Sequence, residues 1–398
     1  MPSRCKSHPV HHLPNKPCLD FKSLKELPDS FKWAPLDGPS RALELESESE
    51  SESESVPVVD LNDPNAQKLI GLACKAWGVF QVINHGVSKS LLDKIEACGK
   101  SLFALPVQQK LKAVRSADGV TGYGPARISS FFPKRMWSEG FTIVGSPLEH
   151  ARQLWPNDYS KFCAIIEEYQ NEMNTLAEKL MWLILGSLGI STRDVKWAAS
   201  PTGANPFKGA SGVIQLNSYP ACPDPSRAMG LAAHTDSTLL TILHQSSTSG
   251  LQVFQEWAGS WVMVPPISGG LVINIGDLLH IISNGLYSSV YHRAVVNKTR
   301  HRLSVAYLYG PEPNVRIQPL PKLSDANRPP LYRPVTWSEY LGIKGKHFDK
   351  TLSLIRLNND SNEDNDNNST LINGLKRGVD RTKSIKVDSN TKILAAFA

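Results

Sequence analysis

Between Gly212 and Tyr309 the chain breaks into short apolar segments divided by turns, a texture that limits the possible folds more than any other feature. "GVIQLNSYP", "STLLTILHQ", "GLQVFQ", "WVMVPP", "GGLVINIGDLLHI", "SSVYHRAVV" and "RLSVAYLYG" are rich in Val, Ile, Leu, Thr and Tyr, which suit a pleated, half-buried surface. Gly250, Gly259, Gly276 and Gly285 punctuate them. Strands this short and this numerous bury their apolar faces by forming two packed sheets, so a jelly-roll (double-stranded β-helix) core is expected over residues 205–320.

Upstream the apolar period changes from two to three-and-four. Phe162, Ile165, Ile166, Tyr169, Met173, Leu176, Leu180, Leu183, Ile184 and Leu188 mark one long helix with a continuous apolar face, laid against a sheet. On that reading Met173 and Met181 are packing residues. Within residues 55–190, "SVPVVDL" and "VFQVINHG" read as strands, "AQKLIGLACKAWG" as a helix ending at Gly78, and Ser88 to about Val114 as helical. "WSEYLGIKGKHFDKTLSLIR" closes the fold within residues 321–356. The fold class is therefore α+β, a jelly-roll core flanked by helices. Residues 1–54 read as a loosely packed arm ending in a Ser-Glu tract, and residues 357–398 as an Asn-rich tail without the regular spacing of a calcium loop. Both the tract and the tail have the charge and apolar poverty of disordered segments.

The chemistry concentrates in the strands. His234 and Asp236 stand two apart in "GLAAHTDSTLLTIL", and His292 follows in "SSVYHRAVV". Residues two apart on an extended strand share a face, so His234 and Asp236 can reach one metal with Thr235 turned away. Two imidazoles and a carboxylate suit a divalent ion of the iron, manganese, cobalt or zinc group, and with positions left open they form the facial triad of non-haem iron oxygenases. Arg302 and Ser304 share a face in the same way, and an arginine can grip a carboxylate with two prongs. Asn217 and Tyr219, in "IQLNSYPACPDP", add an amide and a phenol able to hydrogen-bond such a ligand. Taken singly, each residue has a plain reading: His292 as a satisfied histidine, Arg302 as a surface ion-pair residue contributing about 0–1 kcal/mol. In this order and on strands, they point together to an iron enzyme with an organic-acid cosubstrate. His85, His244 and His280 lack a matching carboxylate neighbour and read as structural.

Composition excludes more than it identifies. Lys and Arg total 43 against 37 Asp and Glu, but the basic residues are dispersed without interleaved aromatics, so nucleic-acid binding has no support. Cys5, Cys18, Cys74, Cys98, Cys163 and Cys222 show no Cys-x-x-Cys spacing, which fits a reducing compartment. The N-terminus lacks a signal-peptide core, and no apolar run reaches the roughly 18 residues of a membrane span. A soluble, cytoplasmic protein is expected, so the Asn-x-Ser/Thr matches near Asn297 and Asn368 carry little weight for glycosylation.

The His-x-Asp, distal His and Arg-x-Ser motifs, with the Asn-x-Tyr-Pro strand and "INHG", resemble the plant 2-oxoglutarate- and Fe(II)-dependent dioxygenases over residues 55–355. "LPDSFKWAP", "GYGPARISSFFPKRMWSEGFTIVGSPLEHARQLWP", "MGLAAHTDSTLLTIL" and "VTWSEYL" are similar to the gibberellin 3-beta-dioxygenases (3-beta-hydroxylases) among them. The resemblance implies iron held by His234, Asp236 and His292, and the distal carboxylate of 2-oxoglutarate held by Arg302, Ser304 and Tyr219, with Asn217 near its chelating end. It further implies O2 as cosubstrate, ascorbate as reductant, and 3-beta-hydroxylation of gibberellin precursors with succinate and CO2 as coproducts. Three features depart from the pattern: the Ser-Glu tract, the Asn-rich tail, and His244 where Tyr is expected. Alternative readings are a gibberellin 2- or 20-oxidase, a flavonoid hydroxylase, an ascorbate-using oxidase of this fold, a non-catalytic cupin-like protein with a structural metal such as zinc, and a gibberellin-binding receptor without turnover. Self-association is not legible.

Overall fold

A computed structural model describes residues 20–35, 55–117, 119–191, 194–195 and 210–357. The Ser-Glu tract, the Asn-rich tail, Cys5, Cys18 and Asn368 lie outside the described residues. The chain opens with β1 (Val58–Asp60), α1 (Ala66–Ala76) and β2 (Val79–Ile83). Gly78 stops α1 at φ +65°, where a Cβ would lie 2.4 Å from Ser288 O, so the turn and its close neighbour both require glycine. Then follow α2 (Lys89–Ala104), capped by the Ser88 hydroxyl, and the short α3 (Val107–Lys110). The single helix expected here is broken at Pro106, which precedes α3 and donates no hydrogen bond. β3 (Gly122–Gly124), β4 (Glu139–Val144), α4 (Leu148–Leu154) and α5 (Tyr159–Ser187) complete the first half.

The expected long helix is α5, 29 residues and about 44 Å at 1.5 Å per residue. It buries Phe162, Ile166, Tyr169, Met173, Leu176, Leu180, Met181 and Ile184, so both methionines are core. The second half carries β5 (Ser211–Tyr219), β6 (Met229–His234), β7 (Leu240–Gln245), β8 (Leu251–Gln255), β9 (Ser260–Met263), β10 (Leu271–Ile275), α6 (Asp277–Ile282), β11 (His292–Val295) and β12 (Arg302–Gly310). β13 (Arg316–Ile317) and β14 (Val335–Thr336) pair with each other, and α7 (Trp337–His347) and α8 (Thr351–Leu354) close the described chain. "GGLVINIGDLLHI" departs from its reading as one strand: the strand ends at Ile275, and Asp277 opens α6.

The strands form the expected sandwich. One sheet has the order β1-β2-β10-β7-β12-β5-β4-β3, and the facing sheet β6-β11-β8-β9. All pairs are antiparallel except β1 with β2. The outer face of the large sheet packs on α2 and α5, where Leu216 and Leu303 crowd Gly99 and Tyr307 donates to Asn174 Oδ1. Its inner face looks towards the small sheet, and the site lies between them. Residues 20–35 differ from a loose arm: Leu27 and Phe31 are buried against Trp137, Tyr219 and Val296, because their apolar side chains cover the open edge of this sandwich.

Candidate metal centre and cosubstrate site

His234 and His292 are direct cross-strand partners of β6 and β11, so register alone sets their rings side by side, 4.3 Å between centroids. β6 ends at His234, and the turn that follows brings Asp236 round to face both. Each Nε2 stands 3.7 Å from Asp236 Oδ1, all three side chains are buried, and one ligand atom from each lies within 4.8 Å of the others. His234 Nδ1 lies 2.8 Å from Ala232 O and His292 Nδ1 3.1 Å from Val290 O. A ring nitrogen against a carbonyl must donate, which leaves each Nε2 with its lone pair aimed at the centre. Burial, then the neighbouring His292, hold the His234 pKa well below its ordinary value, so its imidazole is the neutral, ligating form. Burial alone would raise the Asp236 carboxyl, but His292 and His234 beside it keep it below its usual range.

Asp236 Oδ2 is buried without a hydrogen-bond donor among the described residues. An unmet carboxylate oxygen costs about 1–3 kcal/mol or more, and a divalent cation would answer it. The donor set therefore fits a divalent iron.

The segment carrying Asp236 is braced from behind. Asp277 N donates to Asp236 O (2.8 Å), and Trp337 Nε1 donates to Ser237 O (2.7 Å). Lys344, on α7, donates to Thr235 O (2.7 Å) and Oγ1 (2.8 Å) and pairs with the Asp277 carboxylate. Ser289 and Tyr340 donate to that carboxylate as well, each at 2.7 Å. Thr235 is thus turned away from the centre, as expected, and held there.

Across the cavity, β12 and β5 align Arg302 with Tyr219 and Ser304 with Asn217. All four line the same cavity as the triad, with Gln215, Thr241, Asn274 and Leu231. The Arg302 guanidinium is buried; its Nη2 donates to Gln245 Oε1 (3.0 Å), it stacks over the Tyr219 ring at 5.1 Å, and its Nε has no partner. No described carboxylate pairs with it. Burial lowers its pKa from the ordinary value, with Tyr219 opposing. Burial pushes the Tyr219 phenol up, against the pull of Arg302 and Ser304, so it stays a neutral hydrogen-bonding group. A buried cation met only by neutral groups is an anion site. Gly250 makes room for it: a Cβ there would stand 2.7 Å from Arg302 Cδ.

The family model of the 2OG-Fe(II) oxygenase superfamily matches residues 210–311, and that of the non-haem dioxygenase in morphine synthesis N-terminal matches residues 56–160. Gibberellin 3-beta-dioxygenase 1 of Pisum sativum is 59% identical over 352 residues, covering 88% of this chain and 92% of the relative. The chain belongs to the gibberellin 3-beta-dioxygenase family of the 2OG-Fe(II) oxygenase superfamily. Gibberellin 3-beta-dioxygenase 1 of Arabidopsis thaliana is 55% identical, covering 88% of this dioxygenase and 96% of its own length. Among solved structures, JOX2 in complex with 2OG, Fe and JA superposes with a TM-score of 0.71 at 29% identity, over 86% of this dioxygenase and 99% of that chain. Fe(II) and 2-oxoglutarate are accordingly the cofactor and cosubstrate of this dioxygenase, which acts on a small molecule and O2.

Every residue expected at the site lines its cavity. The three histidines read as structural have partners away from the centre: His85 bonds to Gly269 O (2.8 Å), His280 to Tyr287 O (2.7 Å) and Tyr332 (2.8 Å), and His244 faces Glu96 at 3.4 Å. Cys74, Cys98, Cys163 and Cys222 are free thiols. Among the described residues no helix is long and apolar enough to cross a membrane. Sequence reasoning missed Gln245, Asp277 and Lys344. None had a signal short of tertiary structure: Gln245 reaches the site because β7 pairs it with Ser304 of β12, and Lys344 because α7 packs behind Thr235.

Proposed function

We propose that this dioxygenase hydroxylates carbon 3 of ring A of gibberellin precursors from the β face, yielding bioactive gibberellins with succinate and CO2. His234, Asp236 and His292 hold the iron, Arg302, Ser304 and Tyr219 grip the distal carboxylate of 2-oxoglutarate, and Asn217 lies towards its chelating end. Bound together, iron and 2-oxoglutarate supply an oxidant able to hydroxylate an unactivated C–H bond. The chain's own part is binding, orientation and exclusion of water. The two Nδ1–carbonyl bonds fix the ligand tautomers, Arg302 sets the direction from which the diacid enters, and the dry walls of Leu231, Leu243, Ala306 and Leu308 keep water from the reacting carbon. Ascorbate serves as reductant, in a cytoplasmic setting. On this reading residues 205–320 are the catalytic core, residues 55–190 its helical and strand support, and residues 321–356 the closing segment.

The observation that carries this reading is a buried, carboxylate-free Arg302 sharing one cavity with the triad, in a chain 59% identical to a named gibberellin 3-beta-dioxygenase. The test is purified protein with Fe(II), 2-oxoglutarate, ascorbate and candidate gibberellins, products resolved by mass spectrometry. A 3-beta-hydroxylated product with one succinate per turnover is expected. Succinate formed without any oxidised gibberellin would refute the substrate assignment.

A further inference from the structure

Three glycines and Thr142 run along the inner face of the large sheet, between the wall of the triad cavity and a second arginine. β4 sets Thr142 opposite Gln215 and Gly140 opposite Asn217, and β3 continues with Gly122 opposite Thr142 and Gly124 opposite Gly140. Cross-strand partners share a face, so the cavity wall of Gln215 and Asn217 is extended by three glycines. A Cβ on Gly140 would stand 2.9 Å from Gln215 Nε2 and 3.0 Å from Gly124 O, so the Gln215 amide packs over this glycine. Beyond β3, Arg115 N donates to Tyr123 O (2.9 Å), which holds Arg115 against the sheet edge. Its Nη2 reaches Thr142 Oγ1 at 3.4 Å, and a Cβ on Gly124 would stand 3.5 Å from that same nitrogen. The guanidinium therefore hangs over the far end of this row, on the triad's side of the sheet. Two strand spacings, about 10 Å, separate β5 from β3, roughly the length of a fused polycyclic skeleton.

Arg115 is largely buried, yet no described carboxylate pairs with it, and its Nε has no partner. Its one side-chain hydrogen bond goes to a hydroxyl that itself donates to Gln215 Oε1 (2.6 Å). Burial, then the guanidinium of Arg127, lower its pKa to about 10, which still leaves it charged at neutral pH. A second anion would relieve this arrangement, as 2-oxoglutarate would at Arg302.

We propose that Arg115 binds the carboxylate of an acidic polycyclic substrate whose opposite end reaches the triad. The proposal rests on the gibberellin reading above, gibberellins being rigid fused-ring carboxylic acids. Arg115 is a specificity residue and Thr142 its link to the cavity wall, and neither takes part in iron or 2-oxoglutarate binding.

The test compares the holoenzyme's kinetics on a gibberellin precursor with one free carboxyl and on its methyl ester, in wild type, Arg115→Gln and Arg115→Lys. Wild type should favour the acid on the order of tenfold or more in kcat/KM. Arg115→Gln should erase that preference through the KM of the acid, leaving the ester and the KM for 2-oxoglutarate unchanged, and Arg115→Lys should restore part of it. A wild type that takes acid and ester equally overturns the proposal, as does an Arg115→Gln enzyme that keeps the preference. Equal loss on acid and ester, with a raised KM for 2-oxoglutarate, assigns Arg115 a structural role and overturns it too. A wild type that turns over 2-oxoglutarate but neither gibberellin form refutes the functional reading itself, and this proposal with it.

Discussion

Arg302 shows how a buried residue declares its ligand. Its guanidinium meets an amide, a phenol ring and a hydroxyl-bearing wall, but no negative charge. Supplying that charge permanently should switch the site off. Gln245→Glu places a carboxylate where Nη2 now finds an amide oxygen; the KM for 2-oxoglutarate should rise on the order of 10- to 100-fold while the melting temperature rises, because the buried cation is paired. Unchanged cosubstrate KM in this variant, measured by succinate release, contradicts the assigned role. His234→Ala and Asp236→Ala should each abolish turnover and metal binding, and full activity in either removes that residue from the centre. Asn217 with Tyr219 and Arg302 with Ser304 were legible because strand period two puts each pair on one face, whereas Asp236 lies past the end of β6 and was legible from its His-x-Asp spacing alone. The groups that tune them were not, since Gln245 acts from a neighbouring strand.

At the scale of elements, α7 clamps the loop that carries Asp236. Lys344 and Asp277 form a buried pair that also satisfies Thr235, Tyr340 and Ser289. Removing one partner strands a buried charge, so Lys344→Met should cost about 3–5 kcal/mol of stability and weaken metal binding although it touches no ligand. Denaturant unfolding with and without Mn(II) checks this, and a stability loss without any change in metal affinity would show α7 to be scaffold alone. A second contact predicts an acid limit. Contact with His244, against opposing burial, lowers the Glu96 carboxyl to about 2 from its ordinary 4.5. A depressed carboxylate pKa stabilises the fold above the ordinary value and loses that contribution as pH falls through the folded one. Melting temperatures of wild type and Glu96→Gln should therefore differ above about pH 5 and converge towards pH 2. A difference independent of pH would locate the effect in packing. This scale is also where the sequence misled: "LVINIGDLLHI" is apolar apart from Asn274, Asp277 and His280, too few polar positions to separate period two from 3.6, and Gly276 marks the change from strand to helix.

For the whole molecule, the sandwich and the long helix were legible from period and punctuation, because burial on one face imposes an alternation that a reader can count. The strand order was not, since β10 lies between β2 and β7 through pairings that no local pattern records. Nor was the packing of Leu27 and Phe31 onto the sandwich edge, which depends on the surface they meet. The account as a whole depends on a two-part site, a metal centre on one sheet and a carboxylate anchor on the other. Calorimetric titration of 2-oxoglutarate into metal-loaded protein without O2 tests it most directly, comparing wild type with Arg302→Ala. The account predicts unchanged metal binding in the variant and a loss of 2-oxoglutarate affinity on the order of tenfold or more. Wild-type 2-oxoglutarate affinity in Arg302→Ala would contradict it.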